Sequence, residues 1–584
     1  ASDVYKRQII SFMIFCCSCE DILDKAPLDK IENNVYWSKA SDLENFAVQF
    51  YADLPDFGNI GGYTGIFGRD ALDGSDDAII DIPNLTLNGS RAIVNAADKN
   101  KNWNWIKIRN VNTFFANYSK CQDDFESWKH FLGEAYFFRA WFYFDKVKNY
   151  GDVPWYNTVL NMDSPDLYKA RDKRTIIVDS ILQDLDNAFL YLKPLKENNG
   201  GNNRLSKEAA LIFKSRVALF EGSWQKYHKG TVFATENVDP KKYFKAAVDA
   251  CEELMSGKYS VGLYGNSSEM YGKMFGQDDM SSNPEIILYK QYDKSLNLSH
   301  NLQLYTTART NNRSLTLEFI ESFLSKKGEP IDYYEVAKEK KGNDFLTYIA
   351  SNSDPRLSKM IWIPNDIMWD NGNGKQLFEK PYIGQTAEYL NKTGFQIKKG
   401  VNIHSAGAGA TFVGGDSETG NIIFRYAEAL LNYAEAKYEL DGNVDYDKSI
   451  NLLRKRVGMP NFKVQKDINA KRFSDYGYEI SDELFEIRRE RRVELGVEGF
   501  RTDDYRRWRA HALFKNKRPK GYPLLESEFP QGTPFPEKDV NGLLDPFSQL
   551  LPNGYQFDEN RDYLMCIPTN EITLNPNLKQ NPGW

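Results

Sequence analysis

The stretch that most constrains the fold of this chain is an aromatic segment near residue 140, SWKHFLGEAYFFRAWFYFDKVKNYG (127–151). Large apolar residues recur at helical spacing on one face, and aromatic residues fill a second face: Phe131, Ala135, Phe138 and Phe142, then Phe137, Trp141 and Phe144. A helix that is apolar on most of its faces is buried among other elements. The segment therefore predicts a helical core, which the Gly and Pro of GDVPW (151–155) would end.

Further segments with helical periodicity predict the helices around this core. In chain order they are 41–54, 102–120, 173–193, 205–227, 241–256, 421–442 and 481–500. Within 421–442, the sequence Tyr-Ala-Glu-Ala at 426–429 recurs at 433–436, which places both Tyr-Ala pairs on nearly one face. Helix pairs rich in Ala and Tyr indicate a tetratricopeptide-like stack.

The remaining segments lack this periodicity. Gly, Asn and Asp punctuate residues 56–101, and 257–418 breaks up into strands, turns and loops. The predicted fold class is therefore mainly α, with a helical-pair scaffold at about 102–256 and 419–510 and an irregular, loop-rich ligand-binding half at about 56–101 and 257–418. We expect residues 19–584 to form one compact domain.

Charge and motif patterns argue against several classes of protein. The net charge of -7 provides no basic surface for nucleic acid. Glu and Arg interleave in EIRRERRVEL (486–495), which predicts a salt-bridged structural helix rather than a DNA reader. The five histidines are scattered and no HExxH is present, so neither a metal site nor a cofactor is predicted. No GxSxG elbow or Cys–His signature indicates a nucleophile.

Two loop segments resemble functional motifs only in part. GRDALDGSDDAIID (68–81) carries Asp70, Asp73, Asp76 and Asp77, but the calcium-loop spacing is absent, so turn chemistry is favoured over a metal site. In HSAGAGATFVGGDSETG (404–420), Phe412 stands where a phosphate-binding loop needs its third Gly. This second segment is predicted to be a flexible surface loop.

The N-terminus has the pattern of a bacterial lipoprotein signal. Lys6 and Arg7 precede a short apolar run that ends in the cysteine cluster of SFMIFCCSCEDILDKAP (11–27). Residues 1–18 are predicted to be a signal peptide, and Cys19 is predicted to carry the lipid, with Cys17 as the alternative. Several acyl chains would hold the chain stably at a membrane.

Several segments together resemble the SusD/RagB family, in family order and over nearly the whole chain. They are SCEDILDKAP, GEAYFFRAWFYFDKVKNYGDVPW, RLSKEAALIFKSRVALFEGSW, SDPRL, RYAEALLNYAEAKYEL, LFEIRRERRVELGVEGFRTDDYRRW and IPTNEITLNPNLKQNPGW. The resemblance implies an outer-membrane lipoprotein of Bacteroidetes that faces the extracellular side. Such proteins capture oligosaccharides or polysaccharides for a SusC-like TonB-dependent transporter and are not enzymes.

The ligand site does not transfer by motif, because the family builds it from variable loops. Loops with spaced aromatic residues can provide stacking platforms for sugars on a rigid helical base. The glycan-binding candidates are Tyr63, Phe67, Arg69, Trp103, Tyr264, Tyr271, Tyr292, Tyr305, Arg309 and Trp369. For any one aromatic residue, core packing is the competing interpretation. Two other functions stay open: a RagB-like peptide-binding lid and a surface glycoside hydrolase.

Overall fold

The structure, a computed structural model, describes residues 36–57, 74–95, 103–310, 312–372, 374–409, 415–465 and 475–584. The predicted signal peptide, Cys17 and Cys19 lie outside these ranges, as do Tyr63, Phe67, Arg69, Asp70, Asp73 and Phe412. Within the described ranges the chain is mainly helical, and its short strands form two-stranded sheets. The predicted fold class is confirmed.

The helices of the first scaffold part are long and follow one another closely. They are α1 (Ala40–Val48), α2 (Ile106–Asn117), α3 (Phe125–Tyr150), α4 (Arg174–Tyr191), α5 (Lys207–Tyr227) and α6 (Lys241–Leu254), and strand β1 (Ala78–Ile79) lies between α1 and α2. Helix α3 packs against α4, α4 against α5, and α5 against α6. Successive antiparallel neighbours of this kind form the predicted helical-pair stack.

Local sequence signals set the ends of these helices. The Asp124 side chain accepts a hydrogen bond from the Glu126 amide at the start of α3, and Gly151 ends α3 with a φ of 70°. Ser206 caps α5 by accepting from the Ala209 amide. The side-chain acceptors satisfy backbone amides that are unpaired at the start of each helix, and Gly151 ends α3. The predicted boundaries of α3 and α5 are therefore correct to within two residues.

The irregular half contains short elements joined by long connections. In chain order they are α7 (Ser268–Met274), β2 (Ile286–Lys290), α8 (Leu302–Thr307), β3 (Ser314–Leu315), α9 (Leu317–Ile320), α10 (Tyr333–Glu339), α11 (Gly342–Asn352), α12 (Leu357–Met360), β4 (Ile367–Asp370) and β5 (Lys375–Leu377). Strand β1 pairs with β3, and β4 pairs with β5, both antiparallel. This half has a hydrophobic core of its own, which includes Phe319, Phe323 and Phe345.

The last elements return to the scaffold. They are β6 (Asn421–Arg425), α13 (Tyr426–Asp441), α14 (Ile450–Arg456), α15 (Asp482–Glu494), α16 (Arg501–Arg507) and α17 (Thr569–Leu574). Helix α13 packs against α5, α6 and α15. Strand β6 pairs with β2, and their ladder lies between the two cores, since Leu288 belongs to the scaffold core and Ile286 to the other.

Four predicted helices are wrong at one end. The α-helix predicted at 41–54 ends at Val48, and the one predicted at 102–120 begins at Ile106. The first five residues of 421–442 form strand β6, because their buried, β-branched and aromatic run finds a partner in β2. The helix predicted at 481–500 ends at Glu494, and Val497 and Gly499 then take positive φ values of 66° and 83°. Left-handed backbone of this kind cannot continue an α-helix.

Helix α15 is the salt-bridged structural helix that its sequence predicts, but its partners are mostly on other elements. Arg491 pairs with Asp504 at 2.9 Å, and Arg488 lies 3.5 Å from Glu439. Most of its charged side chains are buried. The helix therefore connects elements through buried ion pairs.

Candidate functional site

An aromatic surface around Trp369 is formed by the hairpin of β4 and β5. The register sets Trp369 opposite Gln376, and the indole Nε1 donates a hydrogen bond to Gln376 Oε1 at 3.1 Å. A Cβ atom on Gly409 would lie 2.4 Å from the indole ring, and one on Gly374 would lie 3.0 Å from it. Glycine is needed at both places, because any side chain would displace the half-buried ring.

The loop before Gly409 is fixed to this hairpin by hydrogen bonds. The Asp370 amide donates to the Ile403 carbonyl at 2.8 Å, and His404 Nδ1 lies 2.7 Å from the Asp370 carbonyl oxygen. Asn371 Nδ2 donates to the carbonyl oxygens of Ser405 and Ala408. The loop is therefore held against the hairpin that carries Trp369.

Parts of the predicted flexible loop 404–420 are packed. The Gly409 amide donates to Thr307 Oγ1 at 2.9 Å, and the Gln303 amide donates to Ser417 Oγ at 2.9 Å. Thr307 and Gln303 belong to α8, and Ser417 is buried. The described residues on both sides of 410–414 therefore pack against α8. For these residues the prediction of a flexible surface loop is wrong.

Arg309 is connected to the same region through α8. It follows the end of that helix, forms an ion pair with Glu388 and lies with its guanidinium 5.4 Å from the ring centre of Tyr389. The Tyr389 side chain is 41% exposed. We call this region the Trp369 surface and define it by Trp369, Asn371, Gln376, His404, Arg309 and Tyr389.

Of the residues on this surface, the sequence predicted Trp369 and Arg309. It missed Tyr389, which is the last residue of the Gly- and Thr-containing stretch GQTAEY (384–389). Spacing alone gave no signal for Asn371, Gln376 and His404, because they reach the surface through strand pairing and loop packing.

The other described candidates are packed inside the protein. Trp103 is 3% exposed and lies edge-on to Trp105 and Tyr150, at ring-centre distances of 5.4 and 4.7 Å. Tyr271 is 0% exposed, and its hydroxyl donates to the Glu494 carbonyl. Their rings contact protein on all sides, so neither presents a face to a ligand in this structure.

Three further tyrosines are packed against the core of the irregular half, and two of them are also held by polar contacts. The Tyr292 hydroxyl accepts from the Phe57 amide at 2.9 Å, and the Tyr264 hydroxyl accepts from Gln277 Nε2 at 3.1 Å. Tyr292 and Tyr305 are buried and belong to the core of the irregular half, while Tyr264 is partly buried against it. The structure therefore does not bring these residues onto the Trp369 surface.

A large cavity of about 910 Å³ lies in the scaffold between α2, α3, α5, β6 and α16. Aromatic side chains form much of its wall, among them Phe144, Phe213 and Phe220. Its charged groups pair with one another: Arg216 with Glu428 at 2.6 Å, Lys148 with Asp503 at 2.8 Å and Lys107 with Asp53 at 2.8 Å. The volume fits a small ligand, but none of the glycan-binding candidates that the structure describes lies on the wall.

The acidic pair Asp76 and Asp77 forms ion pairs and not a metal site. Arg501 Nε lies 2.7 Å from Asp76, and Arg492 Nη2 lies 2.7 Å from Asp77. Burial raises the pKa of Asp76, but the charges of Arg492 and Arg501 outweigh it and hold that pKa well below its usual range. In the part of the chain that the structure describes, no three His, Cys, Asp or Glu side chains converge on a possible metal position.

None of the described helices is long and apolar enough to cross a bilayer.

Comparison with known proteins gives consistent matches. A model described as "SusD family" matches residues 284–584, and one described as "Starch-binding associating with outer membrane" matches residues 31–219. Two curated proteins of Formosa agariphila are similar in sequence. "SusD-like protein P25" is 24% identical over 85% of this chain and 88% of that protein, and "SusD-like protein P2" is 22% identical over 99% of both.

Solved structures of SusD-like proteins have a fold similar to that of this chain. A SusD-like protein from Bacteroides fragilis has a TM-score of 0.72 at 23% identity, with 96% of this chain and 100% of that chain covered. A SusD-like carbohydrate binding protein from the same organism has a TM-score of 0.68 at 21% identity, with 93% and 100% covered.

Proposed function

The chain belongs to the SusD family, and on that basis we propose that it is a non-enzymatic, cell-surface glycan-binding protein that delivers oligosaccharides to a SusC-like TonB-dependent transporter. The observation that carries the proposal within this chain is the Trp369 surface, where a half-buried indole is fixed in place beside polar side chains. The name of one structural relative includes carbohydrate binding, and the model matched by residues 31–219 is described as starch-binding.

The chemistry of this surface suits a sugar ring. The C–H face of a pyranose packs on an indole, and the hydroxyls then need polar partners around the rim. Gln376 and His404 are exposed beside it, and Gln376 Nε2 and His404 Nε2 make no hydrogen bond among the described residues, so they can serve as polar partners for hydroxyls. Because the two glycines and the Gln376 hydrogen bond already hold the ring, binding loses little side-chain entropy.

We further propose that Cys19 carries a lipid anchor and holds the protein at the outer membrane, facing the extracellular side. The description of the model that matches residues 31–219 supports outer-membrane association. Extracellular glycans would then reach the Trp369 surface before import.

Replacement of Trp369 by Ala tests the proposed site. We expect affinity for the bound glycan to fall at least about 10-fold, or about 1.4 kcal/mol, because the stacking surface is lost. Affinity electrophoresis on a polysaccharide panel identifies the glycan, and calorimetry with its oligosaccharide measures the loss. Lys107→Ala at the mouth of the scaffold cavity is the matched control and should bind like wild type.

Other outcomes of the same measurements decide between the candidates. Loss of binding in Lys107→Ala but not in Trp369→Ala would move the site to the cavity. The net charge of -7 favours basic peptides as an alternative ligand class. Calorimetric binding of such peptides with no retention on any glycan would favour the peptide-importer function. Release of reducing ends from the retained glycan would contradict a purely binding role.

A further inference from the structure

A shallow groove of about 480 Å³ lies on the scaffold between α3 and α4, away from the Trp369 surface. One of its sides is a stripe of α4 that runs from Ile176 to Asn187 at helical spacing. Tyr136 and Arg139 of α3 form the opposite side, and Trp155 completes it. We call it the α3–α4 groove.

The floor of the groove is a fixed ion pair. Arg139 donates from Nε and Nη2 to the two carboxylate oxygens of Asp184, both at 2.7 Å. The Arg139 guanidinium also lies 4.3 Å from the ring centre of Phe115 and 5.5 Å from that of Trp155. A bidentate pair packed against aromatic rings has one geometry, so the floor is pre-formed.

Two partly exposed aromatic rings flank this floor and are held from behind. Trp155 packs on Tyr143 with ring centres 4.2 Å apart, and its backbone amide donates to Asp172 at 2.8 Å. Tyr136 stacks on Tyr191 at 6.1 Å. Both rings are therefore held in place by packed neighbours and stay partly exposed where they line the groove.

Amide side chains provide hydrogen-bonding capacity beside these rings. Gln183 is exposed and Asn187 is partly exposed on the α4 stripe. Neither side chain has a hydrogen-bond partner among the described residues, and the same holds for the indole Nε1 of Trp155. An amide can donate to one hydroxyl and accept from another at the same time, which is how proteins commonly bind sugar hydroxyls.

The charges of the groove are internally matched. Asp184 is neutralised by Arg139, and Asp179 accepts from Lys242 Nζ at 3.0 and 2.9 Å. No unpaired charge among the described groove residues would attract an anionic or a cationic ligand. Fixed rings with free amides and no net charge therefore favour a neutral, hydroxyl-rich ligand.

We propose that the α3–α4 groove is a second subsite for a neutral oligosaccharide, separate from the Trp369 surface. The choice of ligand class rests on the proposed function. A long polysaccharide that reaches both sites would bind more tightly than a short oligosaccharide at either site, since the second contact is intramolecular.

Affinity electrophoresis on polysaccharides tests the groove with the double variant Gln183→Ala/Asn187→Ala. Gln183 is exposed, Asn187 is partly exposed and neither side chain has a hydrogen-bond partner among the described residues, so the variant should fold like wild type. We expect retention by the preferred polysaccharide to fall at least about threefold. Leu190→Ala, on an exposed position of α4 outside the groove, is the matched control and should leave retention unchanged.

Methyl NMR provides a direct and deciding measurement. Ile176 lines the groove and is 54% exposed, so its methyl resonance, assigned with Ile176→Val, reports on the site. The probes are maltohexaose, cellohexaose, laminarihexaose, xylohexaose and mannohexaose, added to full-length Trp369→Ala. A saturable shift of the Ile176 resonance with one of them, lost in the groove variant, supports the subsite.

The two proposals can fail separately. If wild type is retained on a glycan but the Ile176 resonance stays unchanged with every probe, the groove subsite is overturned and the Trp369 site stands. If wild type is retained on no glycan and no probe shifts any methyl resonance, both proposals are overturned.

Discussion

The ionisation of single buried residues in this protein depends on the charges that surround them. Glu435 is fully buried, and its carboxylate accepts from Arg507 at 2.7 and 2.6 Å and from the Trp508 indole at 2.6 Å. Burial raises the pKa of Glu435, but the charges of Arg507, Arg488 and Arg491 prevail and lower it to about 2. The stability that this group contributes is therefore complete above a pH of about 4.5 and is lost as pH falls towards 2.

His228 should make the protein sensitive to milder acid. It stacks on Trp224 with ring centres 4.0 Å apart, and Nε2 lies 2.8 Å from the Arg506 carbonyl oxygen. Burial lowers the pKa of His228 from 6.5 to about 3, so between these values the unfolded chain takes up a proton that the folded chain does not. As pH decreases through this window, this group lowers the free energy of unfolding by about 1.4 kcal/mol per pH unit.

We therefore expect His228→Gln to lose less stability than wild type between pH 6 and 4. The slope of its free energy of unfolding against pH should be smaller by roughly the uptake of one proton. Urea unfolding of both proteins across this range measures the difference. Leu190→Ala removes an exposed side chain that does not titrate and is the control, with a pH dependence like that of wild type. Equal slopes for wild type and His228→Gln would contradict the assignment of acid sensitivity to His228.

Among the elements, strand β6 shows how a local pattern is overridden. Its sequence continues into α13 and carries no break signal, yet Ile286–Lys290 pairs with it along the ladder. The alternating sides of a strand let Phe424 enter the scaffold core while Arg425 reaches the ion pairs beyond it. A helix at the same residues would leave β2 without a partner.

Replacement of Phe424 by Ala should destabilise the protein by about 3–5 kcal/mol, because the ring is 0% exposed and fills space among other rings. Its ring centre lies 6.2 Å from Phe137, 6.0 Å from Trp141 and 5.9 Å from Phe213. Urea unfolding at neutral pH measures the loss. The half-buried Ile422 on the same strand is the control, and Ile422→Ala should cost less than half as much. Equal losses would argue against β6 as an anchor of the scaffold core.

At the scale of the whole molecule, buried ion pairs join the two hydrophobic cores. Glu494 at the end of α15 contacts Arg356 of the irregular half at 2.8 Å, Arg425 of β6 at 2.8 Å and Arg456 at the end of α14 at 2.5 Å. Removal of one partner from such a group leaves buried charge without compensation, which is costly. A single compact domain stays a prediction, and contacts of this kind between the halves would hold it together.

We expect Glu494→Gln to cost about 3–5 kcal/mol and to lower the stability of both halves together. Calorimetry should show one transition for wild type and one, at lower temperature, for the variant. Lys245→Gln removes an exposed pair with Asp249 and is the control, with an unchanged transition. Two separate transitions in either protein would contradict a single domain.

The sequence by itself determined the long helices and the family. Helices α3 and α5 follow from apolar spacing and end signals within one segment, since the geometry of a helix depends on neighbouring residues. The sequence also named Trp369 and Arg309 as glycan-binding candidates, and their role stays a prediction.

Only the tertiary structure decided which residues are exposed and which charges pair. Tyr271 and Trp369 both lie in aromatic segments of the irregular half, yet one is enclosed by core and the other is held at the surface by Gly374 and Gly409. Asp77 pairs with Arg492, more than 400 residues away in the chain. Burial and ion pairing depend on which distant segments pack together, and no local spacing in the sequence contains that information.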